Sequence, residues 1–303
     1  MTVERLFELT QEAAVLGQEY PPRLSHPGKK TLLEIAGRDW QGSVQITRWR
    51  GDLPEKGPTE RSEITPIAGF YSYSDSEPDA WHVNFADPNL FGYYGGSLFA
   101  QDEFQVAEHP VLASVREAML ALAPTNPRAT PRTAEREPTP VLVTGAERRI
   151  EVHGIYGNAF AAASEAQIKS ATKRLEPPTI TNVLAMAAPY PGNGPYEFSE
   201  IRSALRAAYV GFAAAKEVTG PGTVVHTGHW GCGAFGGNQT LMALVQMYAA
   251  SLAGVDVAFH TASSSASLEA ALDLLPDLER NNPSHFMAAL EAMHFEWGVS
   301  NET

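Results

Sequence analysis

Strands alternating with helices along the chain predict an α/β layered fold, with helices on both faces of a largely parallel or mixed sheet. The most regular stretch carries the prediction. An apolar run at 223–227 leads into 228–237, where Gly228, Gly231, Gly233, Gly236 and Gly237 make up half the residues, and a helical pattern follows over 238–253. In that pattern Leu241, Leu244, Val245, Tyr248 and Leu252 share one face, and Asn238 suits the N-cap. The strand-like run Trp81–Ala86 (WHVNFA), also followed by a turn-rich stretch and a helical pattern, repeats the arrangement.

The remaining elements follow in order. Residues 1–17 mix Glu4, Arg5, Glu8 and Glu12 with apolar residues and predict an amphipathic helix. Pro21, Pro22, Pro27, Pro54 and Pro58 interrupt the pattern up to Tyr73, with a strand expected at Ser43–Arg50. Turn residues fill 87–96, and one helix is expected over 105–123 from the spacing of Val111, Val115, Met119 and Leu122. Five prolines make 124–140 a loop or extended excursion. Short strands are expected at 141–144 and 180–187, a helix at 198–216 ended by Gly220-Pro221-Gly222, and a strand at 255–260. Two helices close the chain, the last over 282–297 with Phe286, Leu290, Met293 and Trp297 packed inward. No internal repeat is visible. The expected organisation is one catalytic domain, 74–303, with an N-terminal elaboration, 1–73, packed on it as part of the same unit.

Composition narrows the function classes. With 303 residues, 44% hydrophobic and 19% charged, the chain can bury a large core and is not disordered. Cys232 is the only cysteine, which removes internal disulfides and cysteine metal cages and fits a reducing compartment. The N-terminus lacks the basic-then-apolar order of a signal peptide, and no uncharged apolar run approaches the roughly 20 residues of a membrane span. A cytoplasmic monomer without membrane contact is the expectation. Against 35 Asp and Glu stand 22 Lys and Arg, a net charge of −13, with no basic tract. General nucleic-acid binding needs clustered cations and is not expected. A small anionic ligand held by backbone amides remains open.

The glycine segment 228–237 lies between a strand and a helix, where glycines let amide N–H groups approach a phosphate closely. Tight turning alone is the structural alternative. Gly231, Gly233 and Gly236 satisfy G-x-G-x-x-G, so a nicotinamide-dependent oxidoreductase is one candidate; its acidic partner belongs at the end of the next strand, whereas Asp256 sits at the start. Gly28-Lys29-Lys30-Thr31 lacks the upstream glycine of a phosphate-binding P-loop, that position being Arg23. Cys232 lacks the arginine six residues on that a cysteine phosphatase requires, Asn238 standing there, and reads as a small loop residue.

A second constellation, Gly95-Gly96-Ser97-Leu98-Phe99-Ala100-Gln101-Asp102-Glu103, places two adjacent acids after glycines. Glycosidic cleavage needs a carboxyl group to protonate the leaving atom or to guide water, and partial burial raises its pKa toward neutrality. Acids at a helix start, favoured by the dipole, are the structural alternative. Residue types alone leave both open. His226, His229 and His260 raise the question of a metal, but positions three apart on a strand face opposite sides and no carboxylate completes a set, so no metal site is expected. Trp230 is expected in the core beneath the glycine loop.

Taken together, Gly95-Gly96 with Gln101-Asp102-Glu103 resembles the signature of the poly(ADP-ribose) glycohydrolases. Asn84-Phe85-Ala86-Asp87, Val143-Thr144-Gly145-Ala146-Glu147, Ala208-Tyr209-Val210-Gly211-Phe212 and the loop from Thr227 to Gly237 resemble further family segments, in the family's order, across 81–261. The resemblance implies a macrodomain-like three-layer α/β/α sandwich with a mixed central sheet, ADP-ribose as ligand, and neither metal nor cofactor. It implies that Glu103 is the catalytic glutamate and Asp102 the acid that positions the ribose. Asn84, Phe85, Asp87, Gly95, Gly96, Ser97 and Gln101 would then border the ribose side. Gly228, Gly231, Cys232, Gly233, Ala234, Phe235 and Gly236 would form the diphosphate loop, with Phe235 against the substrate ribose. His229 stands where asparagine is usual, and Ser97 replaces a third glycine. In the adenine-side segment 148–156, Tyr156 is the retained aromatic. The implied function is hydrolysis of ADP-ribosylated substrates, with mono-ADP-ribose on protein carboxylates or nucleic-acid bases, or poly-ADP-ribose, as the substrate. A non-catalytic ADP-ribose reader is the alternative from outside enzymology.

Overall fold

The computed structural model describes residues 3–71, 73, 79–122 and 130–298. The strands are β1 (Glu4–Glu12), β2 (Ser43–Arg50), β3 (Ile64–Ile67), β4 (Trp81–Ala86), β5 (Val141–Val152), β6 (Thr172–Ala187), β7 (Val224–Thr227) and β8 (Asp256–His260). They form one mixed sheet in the order β1-β2-β5-β6-β4-β7-β8-β3. The β1-β2-β5-β6 part is antiparallel, whereas β6, β4, β7, β8 and β3 run parallel. The C-terminal ends of five strands therefore share one edge, where α/β folds place their ligands.

Helices cover both faces, as the predicted fold class requires. On one face Trp81, Val83, Leu184, Met186, Val225, Val257 and Phe259 pack against α7 (Phe198–Thr219), α8 (Gln239–Ala253), α9 (Ala266–Leu278) and α10 (Pro283–Ala292). On the other, Val44, Ile46, Val141, Val143, Val183 and Ala185 meet α1 (Ala13–Glu19) and α4 (Val111–Leu122). A smaller cluster joins α2 (Pro27–Ala36), α5 (Asn158–Ala162) and α6 (Glu165–Ala171) around Leu32, Phe99, Ile150, Phe160 and Ile168. Among the described residues no helix is long and apolar enough to cross a membrane.

Four expectations are corrected. Residues 4–12 form an edge strand, not a helix: Phe7 and Leu9, two apart, pack on the sheet core, and the ladder with β2 outweighs the helical spacing of the charges. The helix does begin at Ala13, where Ala13 and Leu16 are buried. The single helix expected over 105–123 is two, α3 (Gln101–Glu108) and α4, broken at His109-Pro110. Proline has no N–H for the helix ladder and disfavours helical backbone in the residue before it. Ala123 and residues 124–129 of the expected loop lie outside the described residues. Strands β5 and β6 run far past their apolar runs, because Glu147, Arg148 and Arg149 are buried in ion pairs that hide the strand pattern. The last helix stops at Ala292, and Trp297 instead stacks on Tyr196 with ring centroids 4.1 Å apart.

Residues before 73 add β1 and β2 to one end of the sheet and β3 to the other.

Candidate active site

The two motifs meet at the C-terminal ends of the neighbouring strands β4 and β7. After β4 the chain turns through 87–100 and enters α3. Gln101 ties the start of α3 to the strand it has left: its Oε1 accepts from the Phe85 N–H at 2.7 Å and its Nε2 donates to the Val83 carbonyl at 3.1 Å. On the next strand, Gly228 sits against the Phe85 ring. A Cβ there would lie 3.6 Å from Phe85 Cζ and 2.8 Å from the His260 carbonyl oxygen, so this close approach requires glycine.

Asp102 and Glu103 occupy the first turn of α3 and are only 5% and 3% exposed. They point to different partners. Asp102 Oδ1 accepts from Asn84 Nδ2 at 3.1 Å, while its buried Oδ2 has no partner among the described residues. Glu103 Oε2 accepts from the Ala100 N–H at 3.0 Å, a capping bond to its own helix start. Burial, and next the Glu103 charge, push the Asp102 carboxyl well above the usual carboxylate range; Asn84 and the Asp87 N–H only partly oppose this. Burial likewise raises Glu103, against the pull of its helix-start N–H donors and Lys29. Both acids therefore hold protons at higher pH than an exposed carboxyl would.

The glycine loop is shaped by its own backbone. Trp230 N–H donates to Gly228 O, Cys232 to His229, Gly236 to Gly233 and Gly237 to Gly231, at 2.7–3.1 Å. Gly231 and Gly236 adopt φ of 75° and 66°, and a Cβ on Gly231 would come within 2.6 Å of Ala188 Cβ. Among the described residues, the amides of Gly233, Ala234 and Phe235 have no backbone acceptor. They precede α8, whose N-cap Asn238 accepts from the Leu241 N–H at 3.1 Å. Free amides beside a helix start suit an anionic group. Trp230 is fully buried beneath the loop, donating Nε1–H to Met186 O at 3.0 Å, and Gln246 Nε2 holds the Gly228 carbonyl at 3.0 Å.

The loop carrying Gly95 and Gly96 is clamped by the N-terminal segment. The Gly95 carbonyl accepts from the Ser25 and His26 N–H groups at 2.9 and 3.1 Å, and a Cβ on Gly95 would be 2.4 Å from the Arg23 carbonyl oxygen. Tyr94 hydroxyl accepts from the Arg23 N–H at 2.6 Å and donates to Glu117 at 2.9 Å. A depression of about 500 Å³ opens beside this loop, lined by Arg23, Tyr93, Gly95, Gly96, Leu98 and Arg116.

The other candidates fall out as follows. Asn84 is fully buried behind Asp102, where it orients the acid. Phe85 is half-buried between the motifs, and Asp87 caps the turn at Asn89 through a 2.8 Å bond. Ser97 is exposed, as is Ala234, and Phe235 is half-buried on the core. Cys232 donates to the Trp230 carbonyl, and burial pushes its thiol up to about 12, which leaves no nucleophilic thiolate at neutral pH. Asp256 accepts from the Glu63 N–H at the N-terminal end of β8, the opposite edge of the sheet from the glycine loop, and so cannot serve a dinucleotide there. His226 Nδ1 lies 3.1 Å from His260 Nε2, with the His82 ring stacked on His226 at 4.5 Å. Burial, then neighbouring His226, lowers His260 to about 4, so it is neutral at pH 7. Among the described residues no group of His, Cys, Asp or Glu is arranged to hold a metal.

Two residues lie near the acids where the sequence did not place them, Tyr156 having been expected on the adenine side and Lys29 weighed only as part of a P-loop. Tyr156 brings its hydroxyl within hydrogen-bonding reach of the Gln101 N–H, beside Glu103. Lys29, on α2, is 3% exposed and lies within electrostatic reach of both acids. Its signal was the helix face: Gly28, Lys29, Leu32, Leu33 and Ala36 all fall on the buried side.

A mixed sheet sandwiched by helices, with a glycine loop and buried acids at the parallel edge, defines the macrodomain class. The family model described as poly(ADP-ribose) glycohydrolase, macro domain fold, matches residues 130–269, which span β5 to β8 and contain the glycine loop. Over that stretch, a little under half of its length, the chain is similar to the macro domain of the poly(ADP-ribose) glycohydrolases. Among solved structures it is similar to the poly(ADP-ribose) glycohydrolase of Thermomonospora curvata, with 15% identity, a TM-score of 0.47, and coverage of 93% of this chain and 99% of that one. The same enzyme bound to the inhibitor ADP-HPD gives 16% identity, a TM-score of 0.46 and the same coverage. A poly(ADP-ribose) glycohydrolase from Deinococcus radiodurans in complex with ADP-ribose gives 11%, 0.45, and 89% and 95%.

Proposed function

We propose that this chain hydrolyses the glycosidic bond that links ADP-ribose to a modified macromolecule. The observation that carries it is the Asp102–Glu103 pair, buried at the start of α3 at the strand edge shared with the amides of 233–235; among the described residues Asp102 Oδ2 has no partner and those amides have no backbone acceptor. The diphosphate is held by those amides, and the ribose lies between the Gly95–Gly96 loop and Phe235. Asp102 Oδ2 accepts a ribose hydroxyl. Protonated Glu103 gives its proton to the leaving atom as the bond to the ribose anomeric carbon breaks. It then takes a proton from the water that adds to that carbon, so the acid is regenerated. Burial, which favours the protonated form, suits the first step. Cationic charge developing on the ribose is stabilised by Asp102, Glu103 and the ligand's own phosphates.

In the segment 148–156 Tyr156 alone remains of the aromatics the family resemblance calls for, and this loss supports mono-ADP-ribosyl substrates, on protein carboxylates or nucleic-acid bases, ahead of long chains. The acidic surface means that a nucleic acid would be recognised through its modification. The single cysteine supports a reducing, cytoplasmic setting, and we take the protein to act as a monomer in which 1–73 and 74–303 form one unit.

The test is calorimetry with ADP-ribose beside a release assay on mono-ADP-ribosylated substrate. Glu103→Gln is expected to lower release by at least about 100-fold, the lower end for a positioned acid–base group, with ADP-ribose affinity within a few-fold. Binding without release from any acceptor would make the protein a reader; tight binding of NAD but not ADP-ribose would favour an oxidoreductase.

A further inference from the structure

Lys29 enters the site from the N-terminal segment. It is buried on α2, donates to the Tyr94 carbonyl at 3.0 Å, and lies over the Phe99 ring with Nζ 4.8 Å from the centroid. Phe99 leads directly into Ala100, where α3 begins. Among the described residues the ammonium has this one hydrogen-bond acceptor and no carboxylate within 4 Å. A buried ammonium so thinly paired is costly to keep, and a methionine of similar volume would pack there at less cost. A positive charge held here against its own solvation has a use if it acts on its neighbours, and those neighbours are Glu103 and Asp102.

Resting on the hydrolase function above, we propose that Lys29 is a positioning residue of the active site: it fixes the Gly95–Gly96 loop through the Tyr94 carbonyl and directs its ammonium charge at the Asp102–Glu103 pair. Both acids are raised by burial, and Asp102 further by Glu103, while the Lys29 charge pulls Glu103 the other way. A pair in which both are protonated can donate to the leaving group but carries no negative charge to stabilise the cation that develops on the ribose. Lys29 favours one ionised member. The groups facing Glu103 are Asp102 on its own helix, Lys29 on α2, Asp87 after β4 and Tyr156 after β5, and of these only Lys29 is cationic. Those facing Lys29 are His26, Glu103 and Asp102.

The experiment compares Lys29→Met, Lys29→Gln and Lys29→Arg with the full-length wild type. The carboxyl carbons of Asp102 and Glu103 are followed by NMR against pH without substrate, and kcat and KM against pH on mono-ADP-ribosylated substrate. Loss of the charge in Met and Gln is expected to raise the carboxyl titration and the acidic limb of kcat by about one pH unit, a tenfold loss of kcat on that limb, with KM changed less than about threefold. Arg, which keeps the charge, is expected to restore the wild-type profile. If Met does not fold, Gln and Arg decide the same question. Superimposable carboxyl titrations in folded wild type and Gln variant would overturn the proposal. A wild type that releases nothing would sink the hydrolase function alone, since the carboxyl titrations need no turnover.

Discussion

Replacing His109 by asparagine isolates one side of the proton balance inside the fold. His109 is fully buried at the α3–α4 break, its Nδ1 2.8 Å from the Gln105 carbonyl, and its Nε2 has no partner among the described residues. Burial lowers its pKa from 6.5 to about 3. Between those two values the unfolded chain binds a proton that the folded chain does not, so stability falls as the pH drops through the window. Each pH unit is worth about 1.4 kcal/mol, so His109 alone withdraws about 2 kcal/mol between pH 7 and pH 5 and approaches 5 kcal/mol near pH 3. Asp102, Glu103 and Glu108 are raised by burial and act in the opposite sense over part of this range, so the net profile of the wild type is a poor gauge. The difference between wild type and His109→Asn removes them. Asparagine keeps a donor near the position of Nδ1 and does not titrate. Urea unfolding at pH 7, 6 and 5 is expected to show the wild type losing about 2 kcal/mol relative to the variant. A difference that stays constant with pH would refute the assignment of a neutral, buried imidazole.

Further outcomes follow from the same geometry. Gly231→Ala forces a side chain into φ 75° and against Ala188, reshaping the amide cradle; ADP-ribose affinity measured by calorimetry is expected to fall at least about tenfold, the equivalent of roughly 1–2 kcal/mol of left-handed strain. Glu108→Ala strips the 2.9 Å partner from buried Arg148 and the acceptor from the Val152 N–H; chemical unfolding is expected to show a loss of about 3 kcal/mol or more, and a loss under about 1 would contradict a buried pair. Cys232 should resist alkylation at pH 7 in the folded protein and react on unfolding, as a thiol pushed up to about 12 requires.

The strand, glycine loop and helix at 223–253 were legible because three signals agreed there: composition, backbone permissiveness and helical spacing. Trp230 beneath the loop followed from its size. The buried acids were legible as a motif, but not their division of labour, which depends on Asn84 reaching Asp102 from the strand and Ala100 capping Glu103. What stayed hidden involves contacts distant in sequence. Glu4–Glu12 is a strand because β2 lies beside it, a fact that local spacing cannot report. Arg148 and Arg149 look like solvent residues until Glu108, Glu147 and Asp39 are brought to them. Lys29 looked like a remnant of another motif, and its place beside Glu103 depends on the packing of α2 against Phe99.

The clamp from residues 23–29 onto Tyr94 and Gly95 has a consequence for anyone trimming this protein. A fragment starting near residue 74 would keep both recognisable motifs and still lose the groups that hold one of them in shape: five donors to Tyr94 and Gly95, namely Arg23 N–H, Ser25 N–H, the Ser25 hydroxyl, His26 N–H and the Lys29 ammonium. It would also lose packing against Gly95, since the three heavy atoms nearest a Cβ there all belong to Arg23 and Leu24. Variation in this opening segment among related chains would adjust the active site while leaving the motif itself unaltered, so selectivity can be tuned from a stretch that carries no recognisable signature.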